Sequence, residues 1–162
     1  MTHARAATLR RAKRVAAELS RPADCWLRAR ILFWATVVRV AKYVVPLRTL
    51  VRVMSPVPHH GRRSAERERR IALFADWASR VVRPRSPGNC LERSLVSYRF
   101  LIRAHADPQL VIGFRREDTG VLGHAWVLVD GQPLGDSPAV VATYEVAMAF
   151  GRGHPPLADP AH

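Results

Sequence analysis

Cys90, His124 and Asp136 are a thiol, an imidazole and a carboxylate placed where each could act on the next. Cys90 opens an apolar helical pattern, His124 opens an apolar strand pattern, and Asp136 lies beyond the Asp130-Gly131 turn. Together they are the parts of covalent acyl chemistry: a nucleophile, a base for its proton, and an orienter for the base. A thiol in the first turn of a helix faces backbone N–H groups with no intrahelical partner and the positive end of the helix dipole, and both favour thiolate. Those N–H groups, including that of Cys90 itself, could hold an oxyanion, with the Asn89 amide as a further donor. His124 could take the thiol proton and return it to a leaving amine.

Asp130 and Asp136 compete for the orienting role. In a hairpin turning at Asp130-Gly131, His124 and Asp136 are equally far from Asp130 along the chain, so a return strand reaching Asp136 sets the two side by side. Asp130 sits in the turn itself, which favours Asp136. Taken singly, each residue has a plainer reading. Cys90 could be a buried apolar filler, His124 a satisfied structural histidine, and Asp136, before Ser137-Pro138, a turn former. Their joint placement at a helix start and on two paired strands favours the site.

The elements that must position them follow from periodicity. Ala4–Leu19 reads as a basic helix and Pro22 as a break. In Asp24–Val45, Leu27, Ile31, Trp34, Val38, Ala41 and Val45 share one helical face, with Arg28, Arg39 and Lys42 opposite. A second apolar row, Phe33, Val37, Val40 and Val44, widens the stripe and could meet the core, a partner or a lipid interface. Pro46 stops this pattern, and Ser55–Gly61 is a proline-rich linker. Ser64 is placed to cap a helix carrying Ile71, Phe74, Trp77, Ala78 and Val81 on one face, which ends before Pro84.

Asn89 is placed to cap the next helix, with Leu91, Leu95, Tyr98, Leu101 and Ile102 as its stripe. Beyond Asp107-Pro108 the pattern is β: Leu110–Phe114, a turn at Glu117–Gly120, His124–Val129, then the Asp130-Gly131 hairpin. Val140–Val146 could add a strand or a helix. The expected organisation is a basic helical segment over 1–63, a catalytic core over 64–150 and an irregular tail over 151–162.

The 162 residues are enough for one well-cored domain. The net charge of +13 is uneven: residues 1–86 carry 20 Lys+Arg against 5 Asp+Glu, and residues 87–162 carry 6 against 8. The basic half could dock on an acidic protein or peptide, nucleic acid or an anionic membrane, or be a solvated surface. The basic segments hold little aromatic interleaving and no nucleic-acid motif, so no nucleic-acid partner is expected. Two cysteines far apart suggest neither disulfide framework nor zinc site, and a cytoplasmic location fits them. The uncharged run Ile31–Val38 is far shorter than the ~20 residues that span a bilayer. His59-His60 lacks further metal ligands and reads as loop, so no metal or cofactor is expected. Cys25 reads as structural, His105 lies near a helix end with Asp107 as its one nearby acidic residue in the chain, and His154 lies in the tail.

The blocks Gly88-Asn89-Cys90-Leu91-Glu92-Arg93-Ser94-Leu95, Gly123-His124-Ala125-Trp126-Val127 and Val129–Asp136 resemble the transglutaminase-like leader peptidases of lasso-peptide biosynthesis. The likeness runs over roughly 64–136. It implies an α+β, papain- or transglutaminase-like core in which Cys90 is nucleophile, His124 general acid/base and Asp136 orienter. Such proteins cut the leader from a ribosomally made precursor peptide, freeing the core peptide for an ATP-dependent, asparagine-synthetase-like cyclase. Fused members carry an amino-terminal leader-recognition module with a β-hairpin. Residues 1–63 read as helices, which implies the split form working with a separate leader-binding protein. Residues 24–45 would then contact that partner or a membrane surface. The alternatives are an acyl transferase with the same triad, and a non-enzymatic basic binder of nucleic acid or membrane.

Overall fold

The computed structural model describes residues 22–57, 61–84, 88–118 and 120–151. The expected Ala4–Leu19 helix, His59-His60, His154 and the tail beyond Gly151 lie outside these residues.

A 3-10 turn, Pro22–Asp24, leads into α1 (Cys25–Ala41). The helix ends at Ala41 and not at Val45, because Val45 precedes Pro46, whose ring disfavours helical backbone on the residue before it. The Lys42 and Val45 N–H groups close the last turn on the Val38 and Ala41 carbonyls at 3.0 and 2.8 Å. Ile31, Ala35 and Val38 are buried, whereas Phe33, Val40 and Val44 of the second row are exposed. Arg39 and Lys42, read from the sequence as lying opposite the apolar stripe, do not both point to solvent. They turn in toward Glu92, with Lys42 Nζ 2.8 Å from its Oε1.

The next helix, α2 (Leu47–Met54), fits between Pro46 and Pro56, and the sequence reading leaves it unassigned. Leu47, Leu50, Val51 and Met54 recur at helical spacing, and the last three are buried. α3 (Ala65–Val82) begins as expected, with Ser64 Oγ accepting the Arg67 N–H. Ile71, Phe74, Ala75 and Ala78 are buried along it, while Val81 is exposed.

α4 (Cys90–Arg103) is the central helix, buried at Glu92 and throughout Ser94–Ile102. It packs against α1, α2 and α3 on one side and against the sheet on the other. Its core partners include Ile31, Val38, Met54 and Phe74 from the helices and Leu110 and Val127 from the sheet. Full burial of each such side chain contributes about 1.5–3 kcal/mol. The core runs without a break through the position near residue 63 where the sequence suggests a division.

The sheet is β1 (Pro108–Glu117), β2 (Gly120–Val129), β3 (Gln132–Pro133) and β4 (Glu145–Phe150), with a one-turn helix, α5 (Pro138–Val141), before β4. Its order is β3-β2-β1-β4, and every pair is antiparallel. The α+β expectation is met. Asp130 and Gly131 have φ of 51° and 74°, the left-handed pair that a two-residue hairpin demands. The return strand stops at Pro133, short of the expected Asp136. Val140–Val146 contains the end of α5 and the start of β4, which returns to pair with β1.

Candidate active site

The early end of β3 builds the site. Along β2, Val129, Val127 and Ala125 present backbone groups toward β3, but β3 pairs only with Leu128 and Val129, and the Leu134 N–H reaches the Val127 carbonyl at 2.9 Å. Ala125 is left with a free edge, and the start of α4 docks there. Ser94 Oγ donates to the Ala125 carbonyl at 2.8 Å. The Ala125 backbone N–H also lies close enough to the Cys90 sulfur to favour its thiolate. A β3 continuing to Asp136 would have taken both groups of Ala125 into the ladder.

Cys90 is half-buried in the first turn of α4, within hydrogen-bond reach of His124. His124 Nε2 lies 3.3 Å from Asp136 Oδ1, so Nδ1 is the ring nitrogen left for the thiol. Asp136 arrives from a bend, not from a paired strand. Gly135, with φ of 86°, swings the chain back toward β2. Asp130 is engaged elsewhere, accepting from Arg63 at 2.9 Å. The three residues singled out in the sequence therefore stand together, by a route other than the ladder expected for Asp136.

Asn89 does not act as expected. It occupies the N-cap position of α4 but makes no capping bond, and its Nδ2 donates to Ser79 Oγ at 3.2 Å. The amide ties α3 to the start of α4.

Arg93, a residue given no role in the sequence reading, stands one turn after Cys90 on α4. Its Nη2 donates to both Asp136 oxygens, at 2.8 and 2.6 Å. Its spacing of one helical turn from Cys90 is the signal that could have singled it out, because side chains so spaced share a helix face. An aromatic wall seats the imidazole: Trp126 stacks at 5.8 Å and Tyr144 lies at 5.0 Å between ring centroids. Arg115 covers the Tyr144 ring at 5.0 Å. Gly113 pairs with His124 across the ladder and is required there. A Cβ on it would come within 2.6 Å of the Glu145 carbonyl oxygen and 2.9 Å of the Trp126 ring.

The electrostatics follow from these contacts. Burial pushes the Cys90 thiol up, but the His124 hydrogen bond, the Ala125 N–H and the charges of His124 and Arg93 outweigh it and leave the thiol below its ordinary value. His124 is raised to about 9, chiefly by Asp136 and next by Cys90. Burial likewise pushes Asp136 up, and the hydrogen bonds of His124 and Arg93 bring it below the usual carboxylate range. Both shifts at the Cys90–His124 pair run toward thiolate and imidazolium. Such a pair can attack an acyl carbon and protonate a leaving amine.

Cys25 is exposed at the start of α1, remote in sequence from these groups. Among the described residues no three His, Cys, Asp or Glu side chains cluster as metal ligands would. No helix among them is long and apolar enough to cross a membrane. No curated protein and no solved structure matches the chain. A family model for the transglutaminase-like superfamily matches residues 31–149, from within α1 through nearly all of β4, and the protein belongs to that superfamily.

Proposed function

We propose that the protein is a cysteine peptidase that removes the leader from a ribosomally made lasso-peptide precursor before macrolactam formation. The placement of half-buried Cys90 beside His124, with His124 hydrogen-bonded to Asp136, carries this reading. The superfamily includes cysteine peptidases and acyltransferases. The narrower assignment is supported by the motif blocks around Cys90, His124 and Asp136.

In this reading the Cys90 thiolate attacks the scissile carbonyl carbon, and backbone N–H groups at the start of α4 hold the oxyanion. The tetrahedral species collapses to a thioester as the C–N bond breaks, and His124 gives its proton to the departing amine, the new terminus of the core peptide. Neutral His124 then takes a proton from water, whose oxygen attacks the thioester. The leader carboxylate leaves, with the thiolate and imidazolium restored. Asp136, held by Arg93, keeps the imidazole in register.

The separate leader-binding protein would dock on the end of α1 and the turn that follows it, where Val40, Tyr43 and Val44 are exposed. The freed peptide would pass to the cyclase.

The test is to incubate the precursor with the leader-binding protein and this chain and to read products by mass. Wild type should yield leader and core. Cys90→Ala and His124→Ala should lose at least about a thousandfold in rate, and Asp136→Ala less. A product carrying an added amine in place of water, or undiminished cleavage by Cys90→Ala, would overturn the reading.

A further inference from the structure

Three arginines that this chemistry does not use line one cavity toward the other end of α4. The cavity, of about 170 Å3, is bounded by Leu27, Arg30, Arg67, Ile71, Phe100 and Arg103, where α1, α3 and α4 meet. At 1.5 Å of rise per residue, Phe100 and Arg103 lie roughly 15–20 Å along α4 from Cys90. Leu27, Ile71 and Phe100 supply apolar surface, and the Arg30 guanidinium lies 5.7 Å from the centre of the Phe100 ring.

The carboxylates nearest in the chain are engaged elsewhere. Glu66 pairs with Arg69 and Arg70, Glu68 with Arg63, and Asp24 with Arg70. Among the described residues, Arg30, Arg67 and Arg103 have no ion pair. A neighbour feels the unbalanced charge: Arg99, buried one turn before Arg103, is lowered from its ordinary value by burial and then by the charges of Arg103 and Arg30. Positive charge gathered on a concave surface without counter-charge favours an anion. Guanidinium forks match phosphate oxygens two at a time.

We infer that this cavity binds the phosphate group of an anionic ligand. A single carboxylate would balance one of the three guanidiniums, whereas a phosphate dianion or diphosphate balances two or more. At ~30 Å3 per water, the space equals several waters, enough for a phosphoryl group. Beside Leu27 and exposed on α1 is Trp26, so the phosphate could be free or be the headgroup of a lipid whose interface receives the indole.

The full chain would be titrated with inorganic diphosphate by calorimetry at constant ionic strength. In parallel it would be sedimented with phosphatidylcholine vesicles, with and without phosphatidylglycerol. The comparison is Arg67→Gln with Arg103→Gln, two exposed side chains outside the core, with the unfolding temperature checked for the fold. Saturable binding of diphosphate that falls tenfold or more in the double variant is the expected result, and it assigns a free phosphate. Sedimentation that needs phosphatidylglycerol and is lost in the double variant assigns a lipid. Neither kind of binding at concentrations up to about 10 mM, or binding unchanged in the double variant, would overturn the inference. Leader cleavage plays no part in the readout, so the result stands apart from the proposed peptidase activity.

Discussion

At the scale of single residues, the thiol and the imidazole adjust each other. Burial alone would keep Cys90 protonated, and the His124 contact and the Ala125 N–H reverse it. His124 holds its proton up to about 9 mainly because Asp136 accepts from it. Under the proposed function, the rate of leader cleavage should therefore trace a bell in pH. Its acid limb lies below the ordinary thiol range, where the thiolate forms, and its alkaline limb lies near 9, where the imidazolium loses the proton the leaving amine needs. In Asp136→Asn the alkaline limb should move to lower pH, because the largest support of the charged imidazole is gone. An unmoved limb would remove Asp136 from the role of orienter. Arg93 acts at one remove, by holding Asp136 and adding positive charge near the sulfur. Arg93→Gln should slow cleavage about tenfold to a hundredfold through misplacement of the pair. It should also shift the onset of Cys90 alkylation by iodoacetamide to higher pH, measured with exposed Cys25 replaced by serine. A loss of stability with no change in that onset would make Arg93 merely structural.

At the scale of elements, the site depends on a strand that ends early. Because β3 covers only Gln132–Pro133, the Ala125 edge of β2 is open to α4. Ser94→Ala would leave the buried Ala125 carbonyl without its hydroxyl partner, at a cost of about 1–3 kcal/mol in urea unfolding. The bend at Gly135 is the second element-level requirement. An alanine there has room, with Ala72 Cβ as its nearest neighbour at 3.7 Å, but φ of 86° disfavours any L side chain. Gly135→Ala should cost roughly 1–2 kcal/mol and lower the proposed cleavage as Asp136→Ala is expected to. Full stability and full activity together would show that the bend does not set the carboxylate.

At the scale of the whole molecule, α4 is enclosed by helices from the first part of the chain and by the sheet from the last part. Ile31, Val38 and Met54 complete the packing that Leu95 and Leu101 begin. Removing residues 1–57 would therefore strip one wall from the core. The remainder should lack a cooperative thermal transition and near-ultraviolet circular dichroism, and a well-folded, active fragment would refute the single-core description. A role in docking for α1 and the turn after it is better tested at Val40 and Val44, which are exposed and leave the core intact.

Much of this was legible in the chain, because periodicity and turn chemistry are local. The Ser64 cap, the stripes of α3 and α4 and the Asp130-Gly131 hairpin follow from side chains within a few residues of one another. Cys90 could be picked out because it opens a helix, and His124 because it opens the apolar part of β2, a strand that itself begins four residues earlier at Gly120. The short α2 carried its spacing in plain view, but the prolines at either end masked it. What the sequence could not supply was long range. Whether Arg39 and Lys42 face water or Glu92 depends on where α4 lies. The partner of Arg93 and the end of β3 are likewise decided by packing across the chain, because a backbone edge or a charge is satisfied by whichever group the fold brings to it.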